Sequence, residues 1–208
     1  MSVIEALNWR YAVRQFSSDH IDEEKVQELL TATRLSATSY GLQPYRLIVV
    51  NDINVRKELF HYAMGQDKVV NCSHLVVFAA QKDVSDAMVD RYIHSVAQTR
   101  GVSVESLQGL ANHMKEVFAC KNVKQKREWA HQQAYIALGT LLTTAAIMKI
   151  DSCPMTGFES DGFNRVLGLN ELGLESSIIC ALGARHPDDR NARLRKVRYD
   201  QSEMVITV

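Results

Sequence analysis

Six cationic side chains (Arg185, Arg190, Arg193, Arg195, Lys196 and Arg198) fall within fourteen residues near the end of the chain, interrupted by the acids Asp188 and Asp189. Two more arginines, Arg10 and Arg14, stand four apart near its start. Guanidinium forks bind phosphate oxygens two at a time, so these groups together can cradle a phosphate. The same run also fits a solvated basic surface. Nucleic acid fits less well, because no aromatic pattern interleaves the cations and Lys plus Arg (24) balance Asp plus Glu (24).

Other reactive residues lack the company their chemistry needs. Thr38-Ser39-Tyr40-Gly41 is a hydroxyl-rich loop able to hydrogen-bond a ligand, but no G-x-S-x-G turn surrounds Ser39, which argues against a hydrolase. Neither G-x-x-x-x-G-K-[ST] nor G-x-G-x-x-G occurs, so ATPases and Rossmann dehydrogenases lose their main signatures. Cys72 and His74 form the one close Cys/His pair. Without two further ligands nearby they read as a core thiol and a satisfied imidazole, and no metal is expected. Trp129, Tyr135, Met114, Met148 and Met155 read as packing, with a cofactor wall as a second role for Met155 between Pro154 and Gly157.

The elements that must position these groups follow from hydrophobic patterning. At 208 residues, 46% hydrophobic and 23% charged, the chain falls in the range of ordinary globular domains. A single domain over 1–208 is expected, since only three prolines and no low-complexity tract offer a linker. A short helix opens the chain, and a loop carries residues 9–16. A helix follows over about 22–34, with Asp22 as N-cap and Lys25 where a capping box would want Glu or Gln. Continuous apolar runs at 45–50 and 74–80 predict strands of a sheet covered on both faces, with a helix near 53–63 between them. Residues 83–149 read as helices with a stop at Arg100-Gly101. A charged stretch at 121–128 precedes a buried helix, whose apolar run of fifteen residues is short of the roughly 20 needed to cross a bilayer. A strand-loop at 151–158, a helix at 160–167, a strand at 175–183 and a strand-like tail at 203–208 complete an α+β or α/β layered domain. The tail needs a sheet edge, its own or a second copy's. Four dispersed cysteines and the absence of a leader pattern at the start make a cytoplasmic location the simplest expectation.

Arg10-Tyr11-Ala12-Val13-Arg14-Gln15-Phe16 resembles the R-x-S-x-[RK]-x-F opening of the flavin-dependent nitroreductase family. Three more blocks follow in that family's order: Ser36-x-x-Ser39-x-x-x-Gln43-Pro44-Tyr45, Pro154-Met155-Thr156-Gly157-Phe158, and Leu194-Arg195-Lys196-Val197-Arg198. Each is weak alone, but four in order across nearly the whole chain are specific. The resemblance implies an α+β sandwich, a mostly antiparallel sheet flanked by helices, in a homodimer whose C-terminal strands are swapped. One tightly bound FMN per subunit would sit at the dimer interface, reduced by NADPH or NADH and reoxidised by a nitroaromatic, quinone or similar small acceptor in ping-pong fashion. A non-catalytic FMN-binding or regulatory homodimer is the alternative. The helix at 130–149 would be a central interface element.

Residue by residue, the resemblance implies that Arg10, Lys196 and Arg198 clamp the FMN phosphate, with Tyr11 and Ala12 in the same loop. Arg14 and Lys68 would lie by the pyrimidine side of the ring and stabilise the negative charge gathered there on reduction. Gln66 would hydrogen-bond that edge. Thr38, Ser39 and Gly41 would approach from the other subunit, and Pro154, Met155, Thr156 and Gly157 would pack against the ring. No catalytic side chain is expected. Three departures from the family pattern stand out: Ala12 for Ser, Gly41 for Asn, which opens room beside the ring, and Thr156 for Glu. Met114 and Phe118 are candidates for the acceptor pocket.

Overall fold

The run Leu75–Ala80 is apolar at every position because both faces of the sheet are covered there. The computed structural model describes residues 2–208. In chain order it comprises α1 (Val3–Trp9), α2 (Glu23–Arg34), β1 (Tyr45–Val50), α3 (Ile53–Phe60), α4 (Lys68–Asn71), β2 (His74–Gln81), α5 (Asp86–Arg100), α6 (Gln108–Ala119), α7 (Val123–Ile147), β3 (Asp151–Met155), α8 (Ser160–Val166), β4 (Leu174–Gly183) and α9 (Gln201–Met204). The strands form one antiparallel sheet in the order β1-β2-β4-β3. This bears out the expected α+β class.

Side chains alternate across a strand, so β2 sends Val76 and Phe78 to one face and Leu75 and Val77 to the other. On the first face α7 lays Ala134, Ala137, Leu138, Leu141 and Ala145 against Val76, Phe78, Ile178 and Leu182. On the other, Val13, Phe16, Leu59 and Phe163 pack on Leu75, Val77, Ile179 and Met155. The second packing is tight at α8, where a Cβ on Gly162 would overlap the Tyr62 ring. Gly162→Ala should therefore cost roughly 1–3 kcal/mol through overpacking. A denaturant melt showing no loss of stability would refute this.

Several expectations are corrected. The charged stretch at 121–128 is not a lead-in but the first turns of α7: Asn122 and Gln125 form a reciprocal capping box, each bond 2.9 Å. Its charges are paired, Lys126 with Asp83 at 3.0 Å and Arg127 with buried Glu175. Within the chain, α7 leaves Tyr135, Ile136 and Ile147 exposed. Strand β1 lies at the sheet edge and is only partly covered along Leu47–Val49, despite an apolar run as continuous as that of β2. Asp22 does occupy the N-cap of α2, but its carboxylate pairs with Lys25 at 3.2 Å instead of capping a backbone N–H. The tail is not a strand within the chain. Residues 201–204 form the helical turn α9 and 205–208 are exposed coil, because neither sheet edge is used by them. Among the described residues no helix is long and apolar enough to cross a membrane.

Candidate cofactor site

The two ends of the chain meet at one carboxylate. Asp189, 3% exposed, accepts hydrogen bonds from the Tyr11 hydroxyl (3.0 Å) and from the backbone N–H groups of Arg14 (2.8 Å), Gln15 (3.2 Å) and Asn191 (3.0 Å). Burial pushes its pKa upward, but these donors outweigh burial and hold it below the usual aspartate value. The Tyr11 hydroxyl is correspondingly hard to ionise, first through burial and then through its bond to Asp189. The loop at 10–16 is thereby fastened to the basic segment that follows β4.

Between them lies a cavity of about 350 Å³ bordered by Arg10, Tyr11, Ala12, Arg14, Lys196 and Arg198. Lys196 reaches back across the chain, its ammonium donating to the carbonyls of Leu7 and, at 2.6 Å, of Arg10. It thus also satisfies carbonyls at the end of α1, where a cation complements the helix dipole. Burial lowers the Lys196 pKa, and the neighbouring Arg10 and Arg198 lower it further. The Arg10 Nε is buried without a partner. No carboxylate pairs with Arg10, Lys196 or Arg198 among the described residues. Converging cations with no counter-ion and an orphaned donor fit a phosphate.

Arg14 also borders a second cavity, of about 330 Å³, together with Lys68, Asn71 and His186. Lys68 is 7% exposed and has no acidic partner among the described residues. Gln66 turns the other way from a free amide: its Nε2 donates to the carbonyls of Gly157 (2.6 Å) and Ala63 (3.1 Å). That ties the turn before α4 to the end of β3 and the loop that follows, where Met155 is buried, Pro154 and Gly157 are half-buried and Thr156 is exposed. The structure therefore assembles two groups, Arg10–Arg14 with Lys196 and Arg198, and Arg14 with Lys68.

It does not bring Thr38, Ser39 and Gly41 to either cavity within the chain. The Ser39 N–H donates to Gln133 of α7 at 2.8 Å, and Thr38 Oγ1 accepts from Gln43 N at 3.2 Å. The space at Gly41 is already taken: its φ is +75°, and a Cβ there would sit 2.6 Å from the Tyr92 hydroxyl. Within the chain, Gly41 thus makes way for Tyr92 of α5. Met114 and Phe118 are corrected from pocket candidates to core. They are 0% and 2% exposed, in a cluster with Leu42, Met88, Val89 and Ile93.

Not all of the basic run is available to a ligand. Arg185 forms a bidentate pair with buried Asp151 (2.5 and 2.9 Å) and stacks 4.2 Å from the Trp9 ring centroid. Cys72 and His74 serve the core as expected, His74 bonding Ser73 Oγ at 2.9 Å with Glu23 3.5 Å away. No group of three metal-ligating side chains occurs among the described residues. The residue most clearly missed from sequence is Asp189. Its only signal was an Asp pair ahead of a short basic turn, where an aspartate commonly caps backbone N–H groups.

Solved structures far apart in sequence share this arrangement of helices and sheet. A nitroreductase-type protein of Bacillus subtilis superposes with a TM-score of 0.88 at 22% identity, covering 99% of this chain and 98% of that one. One from Exiguobacterium sibiricum, solved in complex with FMN, gives 0.85 at 15% identity over 100% and 98%. The fold is thus the α+β nitroreductase fold. The chain belongs to the nitroreductase family, whose model ("Nitroreductase family") matches residues 7–184. A Staphylococcus saprophyticus protein named as an NAD(P)H nitroreductase is 30% identical over 213 aligned positions, 98% of this chain and 95% of that protein.

Proposed function

We propose that the chain is a cytoplasmic FMN-dependent NAD(P)H oxidoreductase, one domain over residues 1–208 acting as a homodimer. It would reduce nitroaromatics, quinones or related small acceptors by ping-pong exchange. The observation that carries this reading is the Arg10–Lys196–Arg198 cluster, without a carboxylate partner and continuous through Arg14 with buried Lys68. The family, the relative named for NAD(P)H and the neighbour that holds FMN support it. When bound, FMN supplies a two-electron carrier that takes hydride from a reduced nicotinamide and passes it to an acceptor.

The chain's own residues would do the rest. Arg10, Lys196 and Arg198 would hold the phosphate, with Tyr11 and Ala12 in the supporting loop. Arg14 and Lys68 would place positive charge where reduction gathers negative charge, and because they are fixed before the reaction this costs little reorganisation. Gln66, through its bond to Gly157, would steady the loop of Pro154, Met155, Thr156 and Gly157 against the ring. Thr38, Ser39 and Gly41 would come from the second copy. Exposed apolar residues on α1 (Val3, Ile4), α7 (Tyr135, Ile136) and the tail (Val205, Ile206) support such a partner and the exchange of C-terminal strands.

Anaerobic visible spectra of the purified protein, before and after NADPH and then NADH, test the proposal. Flavin absorbance that bleaches is expected. A yellow protein that does not bleach would favour a binding or regulatory role, and a colourless one unable to take up FMN would overturn the reading. Lys68→Ala should leave FMN bound but slow its reduction about ten-fold or more, as expected for losing one preorganised charge. An unchanged rate in anaerobic stopped flow would remove Lys68 from this role.

A further inference from the structure

A cavity of about 570 Å³ opens between the segment at 16–20, the start of α3 and the turn at 70–73. Arg56 lines it while being only 5% exposed. Its Nη1 donates to the Cys72 carbonyl and lies 3.5 Å from Cys72 Sγ, but its Nε is buried with no partner. No carboxylate lies within ion-pair distance of it among the described residues. Asp19, the one carboxylate on the cavity wall, is exposed and accepts from Ser17 Oγ at 3.0 Å. The same cavity is lined by donors not engaged elsewhere. The side chains of Ser18, Asn51 and Asn71 line the cavity from exposed positions and have no hydrogen-bond partner within the described residues.

A buried guanidinium without a counter-ion is costly, and its one buried donor left unmade, Nε, adds to that cost. A hydroxyl and two amides lining the same cavity as the guanidinium have the composition of an oxyanion receptor, because a planar fork and neutral donors together match several oxygens of one group. We propose that this cavity is a second anion site, separate from the Arg10–Lys196–Arg198 cluster, and that it binds a phosphate group on Arg56 with help from Ser18, Asn51 and Asn71. The group can come from inorganic phosphate or from a nucleotide phosphomonoester, such as the 2′-phosphate that distinguishes NADPH from NADH. The second source rests on the oxidoreductase reading. Phe16 and Asn71 line this cavity and also the one holding Arg14 and Lys68, so the two are neighbours.

The test uses protein preincubated with excess FMN, so that the first cluster is filled, titrated with inorganic phosphate in a calorimeter against sodium chloride of equal ionic strength. Saturable one-to-one phosphate binding is expected, weakened at least ten-fold by Arg56→Met. Because Arg56 also holds the Cys72 carbonyl, a second variant keeps the arginine: Ser18→Asp places a negative charge on the exposed cavity wall and should weaken phosphate by a similar factor. Phosphate binding no stronger than that of chloride, or equal binding in wild type and Ser18→Asp, would overturn the site. Competition by 2′-AMP but not adenosine, with a raised KM for NADPH and not NADH in Ser18→Asp, identifies the nucleotide as source. Phosphate binding with unaltered nucleotide kinetics identifies the free ion. Failure to take up FMN is visible as a colourless protein, and so is told apart from failure of this site.

Discussion

Arg10→Met is expected to weaken FMN binding by ten- to more than a hundred-fold without destabilising the protein lacking FMN. A hydrogen bond to a charged group contributes about 1.5–3 kcal/mol, and a guanidinium offers more than one to a phosphate. Methionine keeps the apolar stem that fills the site and removes only the charge and its donors. The carbonyl that accepts from Lys196 belongs to the backbone of residue 10 and survives the change. Without FMN the substitution relieves a repulsion, since Arg10 is one of the two cations that depress the Lys196 pKa beyond the effect of burial. It also removes the orphaned Nε. The sign of the effect therefore reverses between the two states. Fluorescence titration with FMN, beside thermal melts with and without it, reads both. Unchanged FMN affinity would take the phosphate away from this cluster.

Asp189→Ala should be among the most damaging changes to the fold near the site, at roughly 2–4 kcal/mol. Four donors lose their acceptor at once, three of them backbone N–H groups that cannot turn to find another. For a chain of this length that corresponds to a fall in Tm of about 5–15 °C. The pH dependence follows from the depressed aspartate pKa. The stabilisation is complete above the unfolded value of about 4 and is lost as pH falls through the lower folded value. Wild type and variant should differ by a constant amount from pH 5 to 8 and converge below about 4. Melts across that range check it, and a gap that stays constant into acid would assign the loss to packing instead. Because Asp189 joins the two ends of the chain, weaker FMN binding should accompany the lost stability even though Asp189 does not line the Arg10–Lys196–Arg198 cavity.

What the sequence determined by itself was whatever depends on neighbours along the chain. Strand β1 was bounded correctly at both ends, and β2 and β4 to within one residue, because mostly apolar runs rich in β-branched residues are stopped by polar turns. The order of four weak blocks was enough for the family, which the match over residues 7–184 bears out. Tertiary structure decided what each charge does. In the basic run Arg185 is neutralised by Asp151, thirty-four residues away, while Lys196 meets carbonyls 186 and 189 positions earlier. Nothing local separates those two cations. Asp189 is fixed in the same way by Tyr11, 178 residues distant, so an acid that only interrupted a basic run became the fastening of the loop. Gly41 yields to Tyr92 of α5, and Met114 and Phe118 belong to a helical core that closes only when α5 and α6 pack. The tail, apolar enough to read as a strand, finds no edge in its own chain and stays exposed there. Burial and pairing are properties of contacts between distant segments, and periodicity along the chain carries no record of them.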